Sequence, residues 1–174
     1  MRILRPISGD GVGGIPTIVF PQISDEAATP SESIWTVTGT ATKSATHYVV
    51  VNGRRSLDFQ NYSFNVVAGD TPTIIAAKMA DAVNSVLSSP VTASSALGVV
   101  TFTTKWSGST STQVQILVDN QGNDAGLTYV ESDFIDGAGT VDLADSLEQF
   151  GNDWYTIVLN PYGSDNLILL ALEQ

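Results

Sequence analysis

Gly137-Ala138-Gly139-Thr140-Val141-Asp142-Leu143, running on to Asp153-Trp154-Tyr155-Thr156-Ile157-Val158-Leu159-Asn160-Pro161-Tyr162, is the stretch whose reading decides the fold. Thr140 or Asp142 offers an oxygen to cap a helix. That helix runs from about Leu143 to Phe150, with Leu143, Leu147 and Phe150 on one side. Gly151 supplies the left-handed residue that ends it. Trp154 to Leu159 is apolar enough to be a buried strand, and Pro161 breaks it. Ser164 or Asp165 then caps a second helix carrying Leu167, Leu170 and Ala171. Helix, strand and helix make one layer of an α/β domain. The sequence stops inside the last helix, which reads as a cut.

Working back from this stretch, the nearest segment of the same character lies far upstream. Ile15-Pro16-Thr17-Ile18-Val19-Phe20 reads as a short buried strand and is the expected sheet-mate of Trp154 to Leu159. Gly9-Asp10-Gly11-Val12-Gly13-Gly14 before it matches G-x-G-x-x-G by spelling. The dinucleotide fingerprint needs a strand before it and a helix after it, and here a strand follows, so residues 1–14 read as a flexible glycine linker. Ile23 to Ser33 has no periodicity and is a connector. Three regions result: residues 1–33 as linker and first core strand, 34–136 as an inserted β-rich module, and 137–174 as the return to the α/β core.

Inside the module the period changes to two. Ile34 to Thr40, Thr46 to Val51 and Tyr62 to Val67 read as strands, with Tyr62, Phe64 and Val66 on one face. Asn52-Gly53 follows the second strand at once and predicts a type I′ hairpin turn, with the return starting at Arg54-Arg55. Asp70 or Thr71 caps a helix with Pro72 in its first turn. Ile75, Met79, Ala82, Val83, Val86 and Leu87 form its apolar face, and Ser88-Ser89-Pro90 ends it. Val91 to Ala93, a turn near Leu97-Gly98, Val99 to Thr104, Gln113 to Val118 and Leu127 to Val130 complete the series, with a loop from Ser107 to Thr112. Roughly seven strands and one packed amphipathic helix predict an α+β module, a β-sandwich or open barrel.

Composition limits the chemistry. Hydrophobic residues make up 43% and charged residues 14% of the 174, which describes a folded chain. Cysteine is absent, removing disulfides, thiolate nucleophiles and cysteine-ligated zinc. A formal charge of −11 argues against nucleic acid. No Lys or Arg follows Lys105, while acids continue to Glu173, which is an acidic surface for a basic partner or a solvated face. No apolar run approaches the ~20 residues of a membrane helix, and Met1-Arg2-Ile3-Leu4-Arg5-Pro6 opens no signal peptide. The chain therefore reads as soluble, unprocessed and without a membrane partner.

No catalytic, cofactor or metal site is expected. His47, the sole histidine, lies in an apolar strand without ligands at metal spacing and reads as a packed or strand-surface residue. Asp119-Asn120-Gln121-Gly122-Asn123-Asp124 resembles a calcium loop but lacks glycine at the sixth position and glutamate at the twelfth, which is Val130; turn chemistry explains it. Asp133/Asp136 and Asp142/Asp145 flank Gly137-Ala138-Gly139 and a helix N-terminus, where carboxylates favour capping over acid–base work. Arg54 and Arg55 read as exposed strand residues, and Trp154, Tyr155 and Tyr162 as core.

Three segments together resemble the tail sheath proteins of contractile-tailed, Mu-like bacteriophages. They are Thr36-Val37-Thr38-Gly39-Thr40-Ala41-Thr42; then Val67-Ala68-Gly69-Asp70-Thr71 with the Ala-rich helix and Pro90-Val91-Thr92-Ala93; and finally Gly137-Ala138-Gly139, Asp142-Leu143-Ala144, Phe150-Gly151-Asn152-Asp153-Trp154-Tyr155 and Pro161-Tyr162. The resemblance implies a virion structural subunit, made in the bacterial host cytoplasm and not an enzyme. Such subunits assemble around a tail tube and contract to drive it through the host envelope. It implies other sheath copies, the tail tube and the baseplate as partners of the full-length protein, and a β module inserted into a partial α/β sheath core. The family's N- and C-terminal portions are missing here, so the isolated chain is expected to be monomeric. The rival readings are an adhesion or decoration module of a tail fibre or surface protein, and a tail-spike glycan hydrolase.

Overall fold

A computed structural model describes residues 2–4, 15–17, 27–53, 59–140, 143, 147 and 148. The chain divides into two compact units, one of Met1–Ile23 with Val141–Gln174 and one of Ser24–Thr140.

In the first unit, β1 (Arg2–Leu4) pairs antiparallel with β2 (Ile15–Thr17), Leu4 opposite Ile15. Arg2–Leu4 is thus a strand where the sequence predicts a flexible linker. A three-residue ladder needs no periodic pattern, so its sequence carries no signal. The peptide N–H of Leu147 donates to the Leu143 carbonyl at 2.8 Å, one helical turn, and Leu143 is buried. The expected pairing of Ile15–Phe20 with Trp154–Leu159, the rest of the helix to Phe150 and everything from Gly151 onward lie outside the described residues.

The second unit holds seven strands and one α-helix among the described residues: β3 (Glu32–Gly39), β4 (Ala45–Asn52), β5 (Phe59–Val66), α1 (Pro72–Asn84), β6 (Val91–Ala96), β7 (Val99–Thr104), β8 (Gln115–Asp119) and β9 (Leu127–Ile135). They form a four-stranded sheet in the order β6-β7-β3-β9 and a three-stranded sheet in the order β5-β4-β8, all pairs antiparallel. This is α+β, as the residue pattern predicts. Alternation sets which side is buried: Ser33, Trp35 and Val37 on β3 sit beside Phe102 and Val100 on β7. Tyr62, Phe64 and Val66 are all buried on β5, as expected.

Thr71 caps α1, its hydroxyl accepting from the Ile74 N–H, and Pro72 opens the helix. Asp70 does not cap. Its carboxylate accepts from the Val67 N–H at 2.8 Å and pairs with Lys78 at 2.6 Å, a contact that lowers its pKa from the ordinary carboxylate value. Ile75, Ala76, Met79, Ala80 and Val83 are buried among residues of both sheets. The helix ends at Asn84, earlier than Pro90 alone suggests, so Val86 and Leu87 leave the predicted apolar face and are exposed. Asn84 ends it by bonding both ways to β6: its side-chain N–H donates to the Ala93 carbonyl at 2.7 Å and its oxygen accepts the Ala93 N–H at 2.9 Å.

The hairpin turns also sort differently. β4 and β5 pair as predicted, but Asn52 is still in the ladder, opposite Phe59, and neither Asn52 nor Gly53 has positive φ. Asn52 and Gly53 therefore do not make the expected two-residue I′ turn; β5 is described from Phe59, and the expected return at Arg54 lies outside the described residues. The type I′ signature lies at Leu97 (φ 49°) and Gly98 (φ 84°), between Ala96 and its partner Val99.

Candidate functional site

The residues near the two ends of Ser24–Thr140 meet. Thr29 and Ala138 form an antiparallel bridge: the Thr29 N–H donates to the Ala138 carbonyl at 2.9 Å, and the Ala138 N–H returns to Thr29 O at 3.2 Å. A 3-10 turn, Ser109–Gln113, is bonded beside this bridge, where the sequence suggests an irregular loop. The Gly108 N–H donates to Thr29 O at 3.0 Å and the Ser109 N–H to Gly139 O at 2.9 Å, so the turn holds both chain segments at once.

Ser111 is the pivot and is wholly buried. Its hydroxyl donates to Gly108 O at 2.7 Å and accepts the Ser31 N–H at 2.9 Å, while its own carbonyl accepts from the Ser31 hydroxyl at 2.8 Å. Thr104 Oγ1 also accepts from Ser31 N, at 3.1 Å, and the Gly137 N–H donates to Thr112 Oγ1 at 3.0 Å. Buried hydroxyls of this kind stabilise only while every partner is present. The two glycines of Gly137-Ala138-Gly139 are required by close approach. A Cβ on Gly137 would lie 1.9 Å from Ser111 Oγ and 2.6 Å from Gly108 O; one on Gly139, at φ 98°, would lie 2.7 Å from the Ala28 Cβ. The arrangement performs no bond chemistry; it fixes where the chain enters and leaves.

His47 is fully buried. Its Nε2 faces the Asn123 carbonyl at 2.7 Å, and because a carbonyl only accepts, Nε2 carries the proton. Nδ1 is then the acceptor for the Tyr129 hydroxyl, also at 2.7 Å. Phe64 and Tyr129 stand edge-on to the ring, so His47 ties β4 to β9 and to the loop before it. Burial pushes the Tyr129 phenol well above its ordinary range. Of the two readings of His47, packed or on the strand surface, the fold shows the packed one.

The Asp119–Asp124 loop uses its side chains for turns. Asp119 Oδ1 accepts the Gln121 N–H at 2.8 Å, Asn120 Oδ1 the Gly122 N–H at 3.0 Å, and Asp124 Oδ1 the Gly126 N–H at 3.0 Å. Among the described residues no group of three or more His, Asp or Glu side chains is placed to hold a metal ion. Asp133 sits within β9 instead of flanking a helix start, its carboxylate accepting the Phe134 N–H at 2.8 Å, because β9 extends to Ile135 rather than Val130. Asp136 follows it, exposed. The glycine run Gly9 to Gly14, Arg54, Arg55, Asp142, Asp145, Trp154, Tyr155 and Tyr162 lie outside the described residues. No described helix is long and apolar enough to cross a membrane.

Sequence reasoning misses Ser31, Thr104, Ser111 and Thr112. Ser31 lies 73 positions from Thr104 and 80 from Ser111, and small hydroxyl residues at such separations carry no pattern. Gly137 and Gly139 are the visible trace.

No protein-family model matches the chain. It is similar to the Mu-like prophage FluMu tail sheath protein of Haemophilus influenzae, with 27% identity over 155 residues, 86% of this chain. The match spans 31% of that relative's length. The resemblance carried by the three quoted segments is thereby met by a tail sheath protein. A relative named for a sheath rather than a reaction also agrees with the expectation that the chain is not an enzyme.

Proposed function

We propose that this chain belongs to a contractile tail sheath subunit, and that residues 34–136 form a module inserted into the sheath core. In this reading the two sheets face each other as a sandwich, and residues 1–33 and 137–174 supply pieces of an α/β core. The observation that carries the reading is the match to a tail sheath protein over most of the chain. The bridge between Thr29 and Ala138 supports the insertion, because a module whose ends adjoin can interrupt another domain without separating its halves. The subunit acts through its interfaces with other sheath copies, the tail tube and the baseplate, and it resides in the virion. Contraction to penetrate a host envelope is then a switch between two lattices of those interfaces.

Expression of the complete gene product without a tail tube, followed by electron microscopy, tests the proposal. Long hollow tubes are expected. Dispersed or fibrous particles would overturn it in favour of an adhesion or decoration module.

A further inference from the structure

Among the described residues β9 is an edge strand of its sheet, bonded to β3 on one side. From Val130 to Asp136 every residue is exposed, and Val130, Phe134 and Ile135 are large apolar side chains among them. Proteins commonly guard a free edge with lysine or proline. β9 has neither; it carries Glu131 and Asp133, with Asp136 just beyond.

Register shows how those groups are arranged. Ile135, Asp133 and Val130 lie opposite Glu32, Ile34 and Thr36 of β3, so they share the outer face across a bulge. That face reads apolar, acid, apolar along the free edge. Among the described residues neither Glu131 nor Asp133 forms an ion pair; the one that forms joins Lys78 and Asp70. A second copy pairing edge to edge through β9 would set Glu131 and Asp133 against like charges, which opposes it.

We infer that the free edge of β9 receives an extended strand from a basic partner protein, presenting Lys or Arg opposite Asp133 between two apolar side chains that meet Val130 and Ile135. Main-chain hydrogen bonds along the edge supply affinity, and the alternating face supplies selection. The basic side chain sits where the partner is steered and the register is set.

The test uses the whole chain and a defined fluorescent probe, the peptide Thr-Val-Thr-Lys-Thr-Val-Thr, with a twin carrying Glu for Lys. Binding is read by anisotropy at low and high salt, and the contact is located by amide chemical shifts. The Lys peptide should bind about tenfold more tightly than the Glu peptide, lose that advantage at high salt, and shift amides of Leu127–Ile135. Asp133→Lys should reverse the preference, and Asp133→Asn should erase it. Equal or absent binding of both peptides, shifts elsewhere, or an unchanged preference in Asp133→Lys would overturn the inference. So would sedimentation showing that copies of the chain pair through β9.

Discussion

Gly137→Ala tests whether the junction at Thr29 and Ala138 is as closely built as its distances indicate. The added Cβ would lie 1.9 Å from Ser111 Oγ, 2.6 Å from Gly108 O and 3.1 Å from Ser31 N. The hydroxyl can rotate away, but only by giving up its bonds to Gly108 O and Ser31 N, each worth about 1 kcal/mol net. The Gly108 carbonyl belongs to the backbone and has to be displaced, which costs about 1–3 kcal/mol as overpacking. Restricting the unfolded chain returns roughly 0.4–1 kcal/mol. The expected net loss is about 2–4 kcal/mol, seen in urea unfolding as a midpoint lowered by roughly 1–2 M at unchanged slope. Ser111→Ala alone should lose about 1–3 kcal/mol. The double variant should lose less than the two singles together, because removing Oγ removes the nearest obstruction and leaves the one at Gly108. A Gly137→Ala protein within about 0.5 kcal/mol of the parent, or strictly additive losses, would refute the account of the junction.

Replacing His47 with Leu should cost about 2–4 kcal/mol in urea titration, because the Asn123 carbonyl and Tyr129 hydroxyl lose their partner. Met79→Ala should cost about 2–5 kcal/mol, whereas Leu87→Ser, at a side chain 93% exposed, should change the midpoint little. Leu97→Asn should raise stability by roughly 0.5–1 kcal/mol, measured by thermal unfolding, since asparagine suits the left-handed position that Leu97 occupies at φ 49°. Burial raises the Tyr129 phenol in the folded state, so above about pH 10 the unfolded chain releases that proton first. The contribution is therefore complete below the unfolded value and lost as pH climbs past it, with a slope of at most about 1.4 kcal/mol per pH unit. Urea midpoints between about pH 9 and about pH 11 check this, and Tyr129→Phe should flatten the decline.

The strands of the β module are readable because half of each is buried and the other half is not. Val99–Thr104 and Tyr62–Val66 alternate cleanly for that reason. The start of α1 is equally legible, since Thr71 and Pro72 act through local bonds. Its end is not, because Asn84 terminates the helix by docking on β6, a contact made in three dimensions. β9 runs five residues past its expected end, as an edge strand facing water tolerates Ser, Glu and Asp that a buried strand excludes. Asn52-Gly53 has the strongest turn chemistry in the chain, yet tertiary pairing carries Asn52 into the ladder and leaves the tight turn to Leu97-Gly98. The junction itself is hidden, since a serine at position 31 or 111 looks like any other until the fold brings them together.

The bridge at Thr29 and Ala138 also has a mechanical meaning. Tension applied along the chain, from residues before Thr29 to residues after Ala138, meets that bridge first. The Thr29–Ala138 pair and the Gly108 and Ser109 N–H bonds beside it bear the pull first, while the ladder of β3 on β9 lies behind them. The ends leave side by side, so the bonds break in succession, as in unzipping, at low load. A stretched chain would thus open first at this clasp, and the β3–β9 ladder, beginning with Glu32 opposite Ile135, would be loaded only after it.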